Sequence, residues 1–309
     1  MSVVSIRHLI GGTRGVQKVN TAFVKRNIPV SFFLFERSFG TLKGRIQEQK
    51  GDNMPSYGTI SSEAYGIWFP EKKYEDTDFY AQLIREGKGS ALEVGCGNGR
   101  LLVPYVKEGL NVDGVDLSSY MLEECKKKAR KHGVNVNLYK QAMQNLDLPR
   151  KYSTIYIPYG SFTLIDNMNE VCQALRGFYN HLTPSGKLVI PLFLPEKTDI
   201  HQDAAVEGEN RLRREGIRPS DGAIIRCYEK VHFDQKNQIE RAQYHYDVIK
   251  DGQVIATEEE DLCFRWHTQE QFYELLKEAG FTDIKSVECY TDKPALPDAP
   301  EFCFIGTKS

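Results

Sequence analysis

The sequence predicts an α/β fold in which a mostly parallel sheet carries helices on both faces. Between residues 91 and 194, short apolar runs alternate with amphipathic helical runs, as expected for parallel strands joined by crossover helices. Within that region, an apolar strand leads into three closely spaced glycines and then into a helix. After residue 196 the alternation stops, and turn signals separate longer extended runs. We therefore expect an antiparallel insertion in an otherwise parallel α/β domain.

The composition is that of a globular protein with a sizeable core. The chain has 309 residues, of which 40% are hydrophobic and 27% are charged. Residues 1–53 hold nine of the 40 Lys and Arg and three of the 42 Asp and Glu, which leaves 31 basic and 39 acidic residues in 54–309. That larger part therefore has a net charge of −8, which disfavours a nucleic-acid partner.

The first 53 residues differ in character from the rest. The segment up to Phe35 has no acidic residue, and an apolar run near residues 28–35 lacks a signal-peptide cleavage site. We expect residues 1–53 to be a poorly structured or non-native extension, with Met54 as the biological start; an organellar transit peptide is the alternative. Residues 54–309 then form one domain.

Cysteine usage and hydropathy bear on the compartment. The seven cysteines are scattered, with no C-x-x-C pair, as in a cytoplasmic protein with reduced thiols. No run reaches membrane-spanning length, so we expect no membrane partner. The oligomeric state is left open.

The individual elements follow from periodicity and capping signals. Ser118 is placed to cap a helix that ends at Gly133, and Thr268 begins a capping box with Gln271. The predicted helices are 79–86, 101–108, 119–132, 169–181 and one from 268 to just before 280. The predicted strands of the main sheet follow the glycine turn and lie at 134–139, 154–157, 187–194, 284–287 and 302–307.

The insertion is predicted to cover residues 196–267. Turn signals at 234–238 and at Asp251-Gly252 separate three extended runs, 223–233, 239–249 and 254–266. These runs predict a three-stranded antiparallel unit, whose position suggests a lid over the carboxyl ends of the parallel strands, where ligands bind in such sheets.

The glycine turn predicts a nucleotide-binding site and restricts which nucleotide it takes. Glycines permit positive φ and close approach of a ligand, and the following helix start offers free N–H groups. A dinucleotide fingerprint needs its third glycine at position 100, where the chain has Arg100. The observed pattern is instead Glu93-x-Gly95-x-Gly97-x-Gly99.

This pattern resembles the first motif of the class I S-adenosylmethionine-dependent methyltransferases. The run Gly114-Val-Asp116-Leu-Ser118-Ser-Tyr-Met121-Leu resembles the second motif of that family, and residues 141–148, 152–162 and 182–190 resemble three later ones in the same order. The resemblance implies a Rossmann-like, seven-stranded, mostly parallel sheet that ends in an antiparallel pair. It also implies S-adenosyl-L-methionine as cofactor and the transfer of its methyl group.

The resemblance assigns cofactor contacts residue by residue. Asp116 is expected to take the ribose hydroxyls, and Tyr65, or else Trp68, to reach the methionine carboxylate from the segment before the first strand. The alternative for those two aromatic residues is a helix that packs on the sheet. The full set of predicted cofactor-binding residues is Tyr65, Trp68, Glu93, Gly95, Gly97, Asn98, Gly99, Asp116, Leu117, Met121, Ala142, Met143 and Pro158.

The sequence specifies the acceptor-binding residues less closely than the cofactor-binding residues. The turn at 158–162 lacks the N/D-P-P-Y motif of enzymes that methylate base amines, because Ile157 stands at the polar position. It also lacks the histidine of the S-F-x-H-L stretch found in small-molecule relatives, and no carboxylate cluster for a metal is evident. We therefore predict no metal and name Tyr159, His245 and Arg265 as candidate catalytic residues.

The sequence thus predicts an enzyme that methylates nitrogen or oxygen of a small molecule by in-line displacement. The main alternative is a non-catalytic, cofactor-binding or regulatory protein of the same fold. A nicotinamide-dependent oxidoreductase is a further alternative, which Arg100 and the order of the motifs disfavour.

Overall fold

The computed structural model describes residues 58–195 and 211–309, so the predicted extension at 1–53 and the first part of the insertion, 196–210, lie outside the described residues. The helices are α1 (Thr59–Trp68), α2 (Glu75–Gly87), α3 (Leu102–Lys107), α4 (Ser119–Lys131), α5 (Met168–His181) and α6 (Gln269–Glu278). The strands are β1 (Ala91–Val94), β2 (Val112–Asp116), β3 (Asn137–Lys140), β4 (Tyr152–Tyr156), β5 (Leu182–Phe193), β6 (Arg211–Ile217), β7 (Ile224–Asp234), β8 (Ile239–Lys250), β9 (Gln253–Arg265), β10 (Phe281–Val287) and β11 (Glu301–Lys308).

The main sheet has seven strands in the order β10-β11-β5-β4-β1-β2-β3. β1 to β5 are parallel to one another, and β11 runs antiparallel to both β5 and β10. The fold class predicted from the sequence is therefore confirmed. The order reverses at β1, and the strands on either side of it leave a crevice at their carboxyl ends, the usual ligand site of such sheets.

Apolar side chains cover both faces of this sheet. On one face, Phe178 of α5 and Phe272 of α6 are fully buried against the strands. On the other face, Tyr80 of α2 and Tyr105 of α3 are fully buried with α4 beside them. Because each helix buries one apolar stripe, the sheet is sandwiched between two helical layers.

The insertion forms a second sheet with four strands, in the order β6-β7-β8-β9. The prediction of three strands was therefore wrong by one, because β6 was not recognised. Its sequence RLRREGI is rich in arginine, and Leu212 and Ile217 are exposed, so it lacks the alternation of a half-buried strand. Buried Glu229 of β7 is paired with Arg211 and Arg213, which attaches β6 to the sheet.

One face of the four-stranded sheet packs against α1. Its inner face buries Tyr244, Tyr246 and Leu262 against Ala64 and its neighbours on α1. The helix is capped from the sheet, since the Glu258 carboxylate accepts hydrogen bonds from the backbone amides of Ile60 and Ser61, both at 2.8 Å. We call β6 to β9 together with α1 the lid.

The capping predictions agree with the structure. The Ser118 side chain accepts a hydrogen bond from the Met121 amide, and Thr268 and Gln271 form the reciprocal capping box. Asp251 and Gly252 both have positive φ, as their hairpin turn requires. None of the helices in the described ranges is long and apolar enough to cross a membrane.

Candidate functional site

A cavity lies between the carboxyl ends of the parallel strands and the lid. One half is formed by residues that follow β1, β2 and β3, and the other half by residues that follow β4 and β5 together with lid strands. The lining residues of the first half are Tyr65, Val94, Gly95, Gly97, Val115, Asp116, Leu117, Ser118, Met121, Gln141, Ala142, Met143 and Gln144. Those of the second half are Tyr159, Gly160, Ser161, Thr163, Leu164, Ile165, Phe193, Leu194, Pro195, Glu240, Leu262, Phe264, Arg265 and Trp266.

The glycine turn brings the backbone to the cavity wall. Gly95 has φ +71°, and a Cβ there would lie 2.9 Å from the side chain of Ser161. Gly99 has φ +73°, but it faces the interior, where a Cβ would lie 2.5 Å from Cys125 Sγ. Gly95 and Gly97 therefore line the cavity, whereas Gly99 permits α4 to pack closely beneath the turn.

Asp116 is oriented by the backbone before any ligand contacts it. Its Oδ2 accepts a hydrogen bond from the Gly97 amide and its Oδ1 accepts one from the Ser118 amide, both at 2.8 Å. Desolvation in the cavity wall raises the pKa of Asp116, and hydrogen bonds from the backbone amides of Ser118, Gly97 and Leu117 oppose that shift. Since a carboxylate offers about four acceptor positions, the side chain can still accept a hydrogen bond from a ligand.

Glu93 lies beneath the turn and is buried. The Tyr156 hydroxyl donates to its Oε2 at 2.8 Å. Burial raises the pKa of Glu93 to about 8, against the lowering effects of Tyr156 and Arg100. The carboxyl group therefore holds a proton readily, and it supports the turn from the interior, outside the cavity lining.

Arg100 organises the aromatic side chains beside the turn. Its guanidinium binds the buried Asp76 carboxylate at 2.9 and 2.5 Å and lies 4.9 Å from the ring centroids of both Tyr74 and Tyr159. A hydrogen bond with Arg100 also acts on Tyr65, whose pKa is raised by burial. The sequence reasoning assigned Arg100 no role in the site; its position directly after the third glycine was the available signal.

Two short segments add apolar side chains to the first half of the cavity. Leu117 and Met121 approach from the start of α4, while Ala142 and Met143 approach from the turn after β3. That turn is fixed by Gln141, whose side chain exchanges two hydrogen bonds of 2.8 Å with the backbone of Asp147. These side chains give this part of the cavity an apolar lining.

Like Glu93, five other predicted site residues do not line the cavity. Gly99 faces Cys125, and Asn98 is buried with its Oδ1 3.4 Å from Lys128 Nζ. The other three are Trp68, which stacks on Tyr246 at 6.2 Å, Pro158, which is buried at the start of a 3₁₀ turn, and His245.

His245 lies on the lid strand β8. Its Nε2 is 3.0 Å from the Asp247 carboxylate, and its Nδ1 is 3.4 Å from that of Glu259, whose side chain is 81% exposed. The structure therefore does not bring His245 together with Tyr159 and Arg265 at the cavity.

Tyr159 and Arg265 both line the second half of the cavity. Tyr159 has φ 62° and ψ 26°, a left-handed conformation that is uncommon for a bulky residue. Arg265 donates to the backbone carbonyls of Asp166 at 2.6 Å and Asn237 at 2.7 Å. Arg265 thus joins the lid to the loop that follows β4, while Tyr159 forms the wall between the two halves.

The second half of the cavity is mainly apolar. Phe193, Leu262, Phe264 and Trp266 contribute aromatic and aliphatic surface, and Glu240 contributes a carboxylate from β8. Across the residues 58–195 and 211–309, no three His, Cys, Asp or Glu side chains come together as metal ligands would.

Comparison with known proteins gives one family and several relatives. The family described as "Methyltransferase domain" matches residues 91–186. A protein of Geobacillus sp. (strain WCH70) that is named as a methyltransferase is 28% identical over 258 residues, which are 82% of this chain and 96% of the relative. A dTDP-3-amino-3,4,6-trideoxy-alpha-D-glucopyranose N,N-dimethyltransferase of Streptomyces venezuelae is 32% identical over 120 residues, which are 38% of this chain and 49% of the relative.

A solved structure supports the fold. The crystal structure of an S-adenosylmethionine-dependent methyltransferase from Clostridium acetobutylicum ATCC 824 has a TM-score of 0.63 and 19% sequence identity, covering 78% of this chain and 94% of that chain. At this identity the similarity concerns the Rossmann-like fold. The family match at 91–186 contains the glycine turn, Asp116 and the turn at 158–162.

Proposed function

We propose that this chain, which is a class I S-adenosylmethionine-dependent methyltransferase, transfers the methyl group to nitrogen or oxygen of a small molecule. The observation that carries the proposal is the continuous cavity, which extends from the glycine turn and Asp116 to the apolar lid strands. A donor bound at the first half and an acceptor bound at the second half would meet beside Tyr159. The lid would exclude bulk water from that meeting point.

The residues of the first half fit the donor. Asp116 can accept hydrogen bonds from the ribose hydroxyls, because the amides of Gly97 and Ser118 hold its two oxygens in place and a carboxylate offers about four acceptor positions. We assign the adenine to the apolar part of the cavity that is lined by Leu117, Met121, Ala142 and Met143. We assign the methionine end to Gly95 and Gly97, with Tyr65 facing the carboxylate.

Arg100, to which the sequence prediction gave no role, is added to the proposed donor site. Its charge lies beside Tyr65 and Tyr159, partly balanced by Asp76. A carboxylate held by Tyr65 would therefore lie in a region of positive potential. Glu93, Asn98 and Gly99 act in this proposal by supporting the turn, and Trp68 and Pro158 by supporting the walls.

Methyl transfer depends more on the alignment of acceptor and methyl donor than on acid–base groups. The bound sulfonium supplies an already activated methyl group, so orientation of the acceptor and exclusion of water can lower the barrier by about 7 to 11 kcal/mol. Tyr159 is suited to the positioning of the acceptor, since burial raises its pKa and it keeps its proton at neutral pH. Arg265 positions the lid, and we no longer assign a catalytic role to His245.

The identity of the acceptor is proposed at the level of chemical class. The Streptomyces venezuelae relative is named for an amino-sugar substrate, which supports a small-molecule acceptor. The net charge of −8 on residues 54–309 disfavours a nucleic acid. All seven cysteines are free, which supports a reducing compartment, and we propose the cytoplasm.

Turnover with labelled donor tests the proposal. The full chain would be incubated with methyl-tritiated S-adenosylmethionine and separate pools of small amines, alcohols and carboxylic acids, with an oligonucleotide pool as comparison. We expect label to enter a small-molecule pool, and the Asp116→Ala variant to lose most of that transfer. Label in the oligonucleotides alone would contradict the proposal.

A further inference from the structure

A second cavity lies beside the glycine turn, among the helices of one face of the main sheet. It is enclosed by the loop between α1 and α2, the start of α2, and the helices α3 and α4, and its volume is about 310 Å³, enough for a small organic molecule. Its lining shares no residue with that of the cavity under the lid, so a ligand in one need not displace a ligand in the other. We call it the lysine cavity, after Lys72, Lys107 and Lys128 in its lining.

Cationic side chains outnumber carboxylates in the lining of the lysine cavity. Five Lys or Arg side chains contribute to it, against three Asp or Glu side chains. Each of those carboxylates already has a cationic partner, in the pairs Glu71–Lys131, Asp78–Lys73 and Glu108–Arg85. Among the described residues, Lys72, Lys107 and Lys128 are in no ion pair, so the lining has an excess of positive charge.

Lys128 is the least exposed of these three lysines. It lies in the last turn of α4 and is half-buried, whereas the preceding Lys126 and Lys127 are exposed. Its Nζ lies 3.4 Å from the amide oxygen Oδ1 of Asn98, and desolvation by burial lowers its pKa. A cation is favourable at the end of a helix, but burial of that cation costs free energy. A bound anion would offset this cost.

Apolar surface lies beside the ammonium groups. Phe69 and Val103 line the lysine cavity and are 6% and 1% exposed. A phosphate monoester carries a charge of about −2 at neutral pH and three strong acceptor oxygens, so it can interact with several separate ammonium groups at once. Lysine binds phosphate well as a point charge. The lining therefore suits a phosphate group that is attached to a small, partly apolar molecule.

We propose that the lysine cavity binds a phosphate monoester of a small molecule, with Lys72, Lys107 and Lys128 around the phosphate and Phe69 and Val103 beside the apolar part. This binding site is distinct from the sites of the methyl donor and acceptor, and it does not depend on the nature of the acceptor.

Calorimetry with phenyl phosphate tests this site. The probe is titrated into the full chain at neutral pH, and benzyl alcohol serves as a neutral probe of similar size. We expect phenyl phosphate to bind, benzyl alcohol not to bind, and the affinity for phenyl phosphate to fall with added salt. Binding should persist when the chain is saturated with S-adenosylhomocysteine, because the two cavities share no lining residue.

Three variants locate the probe. Lys107→Gln and Lys128→Gln should each weaken the binding of phenyl phosphate by about threefold or more, as expected for the loss of one partly exposed charge pair. Lys107 is exposed, so Lys107→Gln tests the site even if a substitution at half-buried Lys128 destabilises the fold. Lys277→Gln removes an exposed lysine from α6, on the other face of the main sheet, and should leave the affinity unchanged.

Four results would each overturn the inference. They are no binding of phenyl phosphate, equal binding of benzyl alcohol, loss of phenyl phosphate binding on saturation with S-adenosylhomocysteine, and an affinity in Lys107→Gln that equals that of Lys277→Gln.

Discussion

Asp116 illustrates how one residue can be prepared for a ligand by its neighbours. Its carboxylate is fixed by the amides of Gly97 and Ser118, so little conformational freedom remains to be lost on binding. Gly97 belongs to the glycine turn and Ser118 caps α4. The aspartate, the turn and the helix cap therefore form one local unit, and this is why they lie within one short stretch of sequence, where the resemblance to the family motifs led to the prediction of Asp116.

We predict that Asp116→Ala weakens the binding of S-adenosylmethionine at least tenfold, or by about 1.4 kcal/mol. The expected cause is the loss of a carboxylate that accepts both ribose hydroxyls. Titration calorimetry on the purified variant measures it, and Glu259→Ala, on the lid surface, serves as the control. An unchanged affinity in Asp116→Ala would show that the motif has been misassigned.

A second residue-scale prediction concerns Glu260, which is buried in the lid. Burial raises its pKa to about 8, with a smaller contribution from Glu258, and the Tyr246 hydroxyl opposes the shift from 3.3 Å. The folded state thus binds a proton more tightly than the unfolded state, whose carboxyl has a pKa near 4.5. The stabilisation is fully present below about pH 4.5 and is lost as the pH rises through about 8.

The test compares urea unfolding of the unmodified protein and Glu260→Gln between pH 5 and pH 8. Glu260→Gln should show a weaker loss of unfolding free energy over this range, by about 1 kcal/mol or more, since one pKa unit is worth about 1.4 kcal/mol. Parallel stability curves for the two proteins would mean that the carboxyl of Glu260 does not titrate in this window.

At the scale of the element, local sequence signals predicted the boundaries of most helices and strands to within a few residues of those in the structure. The largest difference is β5, predicted to begin at Lys187 but found to begin at Leu182, which pairs with Tyr152 before the register shifts. Ser185, with φ 60°, lies in this irregular stretch. Periodicity does not detect such a strand start, because the pairing depends on a partner thirty residues away in the sequence.

The position of α1 depends on a long-range contact. Its N-terminal amides, at Ile60 and Ser61, are satisfied by Glu258, which is almost two hundred residues further along the chain. A Cβ at Gly58 would lie 2.7 Å from that carboxylate, so glycine leaves room for this side chain beside the helix start. No local pattern contains this information, and the sequence therefore left α1 open between two placements.

We predict that Glu258→Ala lowers the free energy of unfolding by about 1 to 2 kcal/mol, the usual cost of a lost helix cap. For a chain of this size, the midpoint of thermal unfolding should fall by roughly 2 to 4 °C per kcal/mol. Glu259→Ala removes the neighbouring exposed carboxylate and should change stability by less than about 0.5 kcal/mol. Equal effects of the two substitutions would show that the cap contributes nothing specific.

For the molecule as a whole, the two halves of the cavity differ in how far sequence can specify them. Apart from Tyr65 of α1, the donor half is assembled from residues within about fifty positions, between Val94 and Gln144, at the ends of neighbouring strands. The acceptor half combines the ends of β4 and β5 with Glu240, Phe264 and Trp266 from a separate sheet. The chemical character of the acceptor half follows from the three-dimensional arrangement, in which the lid covers the carboxyl ends of the parallel strands.

The most direct test of the central claim is hydrogen–deuterium exchange of the full chain with and without S-adenosylmethionine, with NADH as comparison. We expect S-adenosylmethionine to slow exchange in peptides that contain Gly97, Asp116 and Met143, because the donor contacts all three segments, and NADH to leave them unchanged. Unchanged exchange in these peptides at saturating S-adenosylmethionine, or equal protection by NADH, would contradict the placement of the donor at the glycine turn.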